Sequence, residues 1–97
     1  MTPDNGIKLP EYIKIGGIRF KVIRDKMGDQ GEIIFGKALI KISDELCQEK
    51  AEETTCHETV EGWNELYDLK LPHHKIQILG SALHQLSKDN DLSYMRK

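Results

Sequence analysis

The sequence predicts an α+β domain in which a small antiparallel sheet of two β-hairpins is followed by two α-helices. Three observations support this prediction. Apolar and polar residues alternate on both sides of a Gly16-Gly17 pair, a second pair of apolar runs follows soon after, and residues 44–67 contain no proline. Because the strands come first and the helices afterwards, we expect both helices on one face of the sheet.

Two segments carry the strand signals. Residues 12–22 alternate in polarity around Gly16-Gly17, and both of these glycines can take the positive φ angles of a two-residue hairpin turn. Residues 32–35 and 38–42 flank a second short turn. These runs are more continuously apolar, which is typical of strands that are covered on both faces.

Two further segments carry helix signals. Residues 44–67 are rich in Glu, Lys, Ala and Gln, which favour helix, and residues 73–88 follow Pro72, which suits the first turn of a helix. The second segment places four aliphatic residues at the 3-4-3 spacing of one helical face, namely Ile76, Leu79, Leu83 and Leu86. We therefore predict two helices that are joined by a short linker.

Length and charge limit the possible functions. The chain of 97 residues is long enough for one small domain, which we place at residues 11–97. Residues 1–10 are expected to form a flexible tail, because prolines and a glycine interrupt any periodicity there. The net charge of −2, with interspersed charges of both signs, argues against nucleic-acid binding. No apolar run approaches the ~18 residues that a membrane span needs, so we expect no membrane partner.

The two cysteines indicate a reducing compartment. Cys47 and Cys56 fall in the predicted first helix, about 13 Å apart along its axis. A disulfide needs Cα atoms within about 7 Å, so both should be free thiols. We expect a cytoplasmic protein.

The first helix contains a variant of a metallopeptidase motif. His57 and Glu58 begin a His-Glu-x-x-His pattern, but Glu61 stands where the second His is expected. On a helical wheel Glu61 lies about 40° from His57, on a polar side of the helix that is separate from the apolar stripe. A carboxylate can replace His as a zinc ligand. The simpler alternative is a solvated helix face that carries a weak His–Glu ion pair.

The second helix offers a third ligand, because it begins with His73 and His74. His73 flanks the apolar face beside Gly80, which would permit the close approach of another backbone, so His73 can turn toward the first helix. His74 lies further out and is the second choice. The candidate zinc ligands are therefore His57, Glu61 and His73; the simpler alternative is that His73 and His74 are a pair in the first helical turn with no role.

Four segments resemble a family of small bacteriophage and prophage proteins, grouped with zincin-type metallopeptidases. The resemblance spans residues 12–90 and lies in the hairpin 15–22, the strand 39–42, the motif 55–58 and the helix end 83–90. It implies a minimal zincin-like fold and a location in the cytoplasm of a host bacterium. Members typically carry His-Glu-x-x-His and an acidic residue at the start of the next helix.

Against that pattern, two ligand types are exchanged in this chain. Glu61 stands for the second His and His73 stands for the acid, so a set of two His and one carboxylate is preserved. The resemblance implies a zinc-dependent hydrolase of peptidase type, with Glu58 as general base and a peptide or protein substrate. The alternative is a zincin-like phage accessory protein without catalysis, which would contact a partner through residues such as Trp63 and Tyr67.

Overall fold

A computed structural model of the chain describes residues 6–96. It confirms the α+β class, with a four-stranded sheet that precedes two α-helices. The elements are β1 (Tyr12–Ile15), β2 (Ile18–Asp25), β3 (Gly31–Ile34), β4 (Leu39–Ser43), α1 (Gln48–Leu66) and α2 (His73–Asp89), with 3-10 turns at Phe35–Lys37 and Ser93–Arg96. None of the helices in the described range has the length and apolar character to cross a membrane.

The sheet is mixed, whereas the sequence predicted an antiparallel one. Its strand order is β1-β2-β4-β3, and each predicted hairpin is an antiparallel pair. The two hairpins join through β2 and β4, which run parallel. Ile40 and Ile42 of β4 are fully buried, which explains why β4 takes an interior position and leaves β3 at the edge.

The core lies between the sheet and α1. Five residues with no exposed surface form its centre, namely Ile15, Phe20, Ile40, Ile42 and Ala51. The predicted tail falls partly outside the described residues. Within residues 6–10, Ile7 and Leu9 pack against this core, and the backbone of Lys8 exchanges two hydrogen bonds of 2.7 and 2.8 Å with the side-chain amide of Gln48.

Helix α1 begins at Gln48, four residues later than predicted. Cys47 has an extended backbone and stands at the N-cap position without a side-chain capping hydrogen bond, so only Cys56 lies within the helix; both thiols are free. The buried positions of α1 are mostly small or polar: Ala51, Thr54, Thr55, Glu58, Thr59, Val60 and Gly62. The hydroxyls of Thr55 and Thr59 each donate to the carbonyl four residues earlier, which satisfies them in the interior.

The two helices touch at Gly80. A Cβ added there would stand 2.9 Å from the Cα of His57, so only glycine allows this approach, as the sequence predicted. The turn before α2 is fixed by Asn64, whose side-chain oxygen accepts the backbone N–H of Leu71 at 2.9 Å. Together these contacts set the position of His73, the first residue of α2, relative to α1.

Candidate metal centre

A cleft of about 800 Å³ opens along α1. The helix forms its floor, β3 and the loop before β3 form one wall, and the start of α2 forms the other. Strand β3 runs in the same direction as α1: a Cβ on Gly31 would meet Thr54, and Ile33 lies against Gly62. The cleft therefore follows an edge strand, and its two ends correspond to the two ends of the helix.

The middle of the floor carries His57 and Glu61. They lie one helical turn apart, with His57 Nε2 at 3.7 Å from Glu61 Oε2. Both side chains are partly exposed to the cleft. His57 is held from behind, because Gly80 of α2 lies directly against its backbone. Packing between the two helices thus orients the first histidine toward the cleft.

His73 completes a group of three possible ligands. Its ring lies edge-on to that of His57, with centroids 5.6 Å apart. One donor atom from each of His57, Glu61 and His73 lies within 4.8 Å of the others. Among residues 6–96 this is the one such group of three, and His74, which is exposed, lies outside it. The structure therefore brings together the three residues that the sequence proposed and leaves out the second choice.

The spacing of the three donors fits a metal after a small adjustment. Donors at about 2.0–2.1 Å in a tetrahedral site are about 3.4 Å apart, and the three donors here lie within 4.8 Å of one another, so the widest pair would close by up to about 1.4 Å. His73 is exposed in the first turn of α2, where its ring lies edge-on to that of His57. Two imidazoles and one carboxylate form a chemically suitable set for zinc. Without a metal, His57 and Glu61 remain neighbours at i,i+4 spacing, and they form an ion pair only when His57 is protonated.

Glu58 lies in the same cleft but is buried, with 6 % of its surface exposed. It faces β3 at Gly31, where an added Cβ would come within 3.2 Å of its Oε2. Burial, followed by the negative charges of Glu61, Glu32 and Asp29, raises the pKa of Glu58 to about 7. Among the hydrogen bonds of residues 6–96, none is donated to this carboxyl.

The cleft is strongly acidic. Five carboxyl groups besides Glu58 line it, against a single lysine, Lys50. That lysine pairs with Glu53 at 3.4 Å, and Glu53 also accepts a hydrogen bond from Ser81. The other carboxyl groups of the cleft have no lysine beside them in the lining, and their negative charge would attract a cation, whether a metal ion or a basic group of a ligand.

A second polar cluster was not foreseen in the sequence. Glu52 accepts hydrogen bonds from Gln48 and Lys88 and lies 2.9 Å from His84 Nε2, so it ties the polar half of α1 to the end of α2. These contacts hold the pKa of Glu52 down at about 2, with the Gln48 hydrogen bond as the largest cause. They explain why this polar stretch is ordered helix. Glu52 and His84 are 32 positions apart in the sequence, and no sequence pattern indicates a contact over that distance.

Comparisons with protein-family models, with curated proteins and with solved structures returned no match.

Proposed function

We propose that the protein is a zinc-dependent hydrolase that cleaves peptide bonds. His57, Glu61 and His73 would hold the ion, and Glu58 would serve as the general base. The observation that carries the proposal is the convergence of three donor side chains in a cleft that also contains a buried carboxyl without a protein partner.

The proposed reaction needs both the zinc ion and the Glu58 carboxyl, and each has a separate role. When bound, zinc supplies a water of lowered pKa and polarises a carbonyl oxygen. Burial and the neighbouring carboxylates raise the pKa of Glu58 to about 7 in the metal-free protein, and a bound cation would favour its carboxylate form. A group in this state can accept a proton and return it within one cycle, which is what peptide hydrolysis requires of a general base.

The wall of the cleft suits an extended peptide. Strand β3 pairs on one side with β4 and is the last strand of the sheet within residues 6–96, so the backbone groups on its other side have no strand partner in that range. An extended peptide can add to such an edge through main-chain hydrogen bonds. That position would place the peptide backbone beside the proposed metal ligands. The free thiols of Cys47 and Cys56 support a reducing compartment, and we retain the cytoplasm of a host bacterium as part of the proposal.

Zinc content and hydrolysis test the proposal. Elemental analysis of untagged protein should give about one zinc per chain, lost in His57→Ala and His73→Ala. His74→Ala is the matched control, because its ring is next in sequence but outside the group, and it should retain zinc. Glu58→Gln should retain zinc and lose hydrolysis of peptides. Wild-type protein that binds no zinc at micromolar concentration would disprove the proposed centre.

The alternative function is a non-catalytic accessory protein that binds a partner. The observation that favours it is the exposure of two aromatic residues, Trp63 at 36 % and Tyr67 at 58 %. Val60, on the same side of α1, is by contrast only 2 % exposed. Zinc binding combined with hydrolysis that is identical in wild type and Glu58→Gln would favour this alternative.

A further inference from the structure

Helix α2 leaves much of its apolar surface exposed. It packs mainly on α1, and of its 17 residues only Ile76 and Gly80 are buried. Two of the aliphatic residues that the sequence placed on one face of α2, Leu79 and Leu86, are 44 % and 46 % exposed, and Ile78 beside them is 63 % exposed. Single apolar residues are common on protein surfaces, but a contiguous apolar surface typically marks a site of association.

This surface continues from α2 onto α1. An apolar groove of about 350 Å³ lies between the two helices, where Trp63 of α1 meets Leu79 and Leu86 of α2. The groove shares no lining residue with the acidic cleft. The exposed apolar surface is therefore separate from the proposed metal centre.

Five exposed residues of α2 form a face whose spacing is symmetric. They are Lys75, Ile78, Ala82, Leu86 and Asp89, at intervals of 3, 4, 4 and 3 residues. At about 100° per residue these five positions fall within about 80° of the helix circumference. We name them the outer face. Ala82 is at its centre, an aliphatic residue lies four positions to either side, and the two ends carry opposite charges.

The two charges of the outer face are unfavourable in an isolated helix. Lys75 lies in the first turn of α2, where the helix dipole favours an acid, and Asp89 is the last residue, where the dipole favours a base. Neither residue takes part in a salt bridge within residues 6–96, although Asp89 accepts a hydrogen bond from Gln85 at 3.1 Å. A partner that brings an acid to Lys75 and a base to Asp89 would compensate both charges.

We propose that two copies of the chain pair through the outer face, with their α2 helices antiparallel and a two-fold axis at Ala82. In such an interface, residues at equal distances on either side of the axis face each other, and every contact occurs twice. Ile78 of each copy then packs on Leu86 of the other, and Lys75 of each copy lies opposite Asp89 of the other. A second copy thus supplies the acid and the base at the required spacing.

The residue at the axis favours this pairing. Packed helix axes lie ~8–10 Å apart, depending on the side chains at the contact, and an alanine at the crossing point allows the short end of that range. Ala82 is exposed, so the approach meets no other part of the described chain. The inference is independent of the proposed hydrolase, because none of the proposed metal ligands belongs to the outer face.

Sedimentation equilibrium of the full-length protein tests the pairing. A chelator is present, so that zinc shared between exposed histidines of two chains contributes nothing. A contact between two helices is at the small end of stable interfaces, so we expect a monomer–dimer equilibrium with Kd on the order of 10 µM at about 0.1 M salt. Protein that stays monomeric at about 1 mM, or that assembles beyond the dimer, would overturn the inference.

A charge at the axis should abolish the dimer. Ala82→Glu sets two carboxylates against each other, and we expect Kd to rise by at least about 100-fold. Gln77→Glu is the matched control, because it adds the same charge to α2 on the side that lines the cleft, and it should keep the wild-type Kd. The Tm of each variant, measured well below Kd, checks that the monomer is folded. Equal association of Ala82→Glu and wild type would contradict the proposed axis.

Exchanging the charges tests the antiparallel arrangement. Lys75→Asp or Asp89→Lys alone sets like charges opposite each other twice, and each should raise Kd about tenfold at about 0.02 M salt and much less at about 1 M. The Lys75→Asp, Asp89→Lys double variant restores opposite charges and should return to within about twofold of the wild-type Kd. Both changes suit the helix dipole, so the monomer should stay folded. Single variants that associate like wild type, or a double variant as weak as the single ones, would overturn the inference.

Discussion

Glu58→Gln should stabilise the metal-free protein at alkaline pH, because the native state disfavours the charged carboxylate. Burial raises the pKa of Glu58 from 4.5 to about 7. At one pKa unit per 1.36 kcal/mol, this shift is equivalent to about 3 kcal/mol. The carboxyl lines a cleft that admits water, which screens the charge. We therefore expect a stabilisation of roughly half of this free energy, about 1.5–2 kcal/mol.

The direction of the pH dependence follows from the raised pKa. Below about pH 4.5 the carboxyl is protonated in both the folded and the unfolded chain, so its ionisation costs the fold nothing. Between about pH 4.5 and 7 the unfolded chain releases the proton first, and stability falls. Above about pH 7 the loss of stability that ionisation of Glu58 causes is complete. Glutamine has no proton to release, so the gain from Glu58→Gln should grow across this window.

Urea unfolding in the presence of a chelator measures this gain. The stability gained by Glu58→Gln over wild type, taken as the increase in the free energy of unfolding, should be larger at pH 8 than at pH 4.5 by about 1.5–2 kcal/mol. For a chain of this size, that difference is equivalent to about 6–16 °C in Tm. Glu49→Gln, on the exposed side of the same helix, should show no such rise. A difference between Glu58→Gln and wild type that stays constant across this range would refute the reasoning. Added zinc should reduce the gain, because a nearby cation favours the Glu58 anion.

Three further variants test how the site is held. Gly80→Ala would place a Cβ 2.9 Å from the His57 backbone, so we expect a loss of about 1–3 kcal/mol in urea unfolding and weaker zinc binding. Asn64→Ala removes the acceptor of the Leu71 amide and should weaken zinc binding in titration calorimetry, with a loss of about 1 kcal/mol in stability. Glu52→Gln should destabilise the fold at pH 7, and the difference should vanish as pH falls from about 4.5 through about 2, since the lowered pKa contributes stability only while the carboxylate is charged.

Local patterns in the sequence were sufficient for the elements and for part of the site. Both hairpins, both helices and the contact at Gly80 agree with the predictions. Donor atoms of His57, Glu61 and His73 also lie within 4.8 Å of one another, because i,i+4 spacing fixes two of the three and a short linker limits where the third can lie. Period and spacing are local properties, so they specify what lies on one helix face or at one turn.

Contacts between distant segments were beyond these patterns. The parallel pairing of β2 with β4 depends on which hairpin strand is buried more deeply, and alternation alone does not rank the two strands of a hairpin. The face of α1 toward the sheet was also missed. Its hydroxyls at Thr55 and Thr59 are satisfied within the helix itself, so a polar-looking face can be buried at little cost.

Glu58 and Gly31 show why the surroundings of the proposed general base could not be predicted from a helical wheel of α1. A glutamate is rarely buried without a partner, so sequence rules assign it to solvent. A glycine in a strand weakens the strand, so the same rules do not predict a glycine at this position of β3. In the structure each accounts for the other: a Cβ on Gly31 would stand 2.6 Å from Thr54 Cγ2 and would crowd the Glu58 carboxyl. Two residues that break local rules meet at one point of the cleft, which is where a functional group is expected to be found.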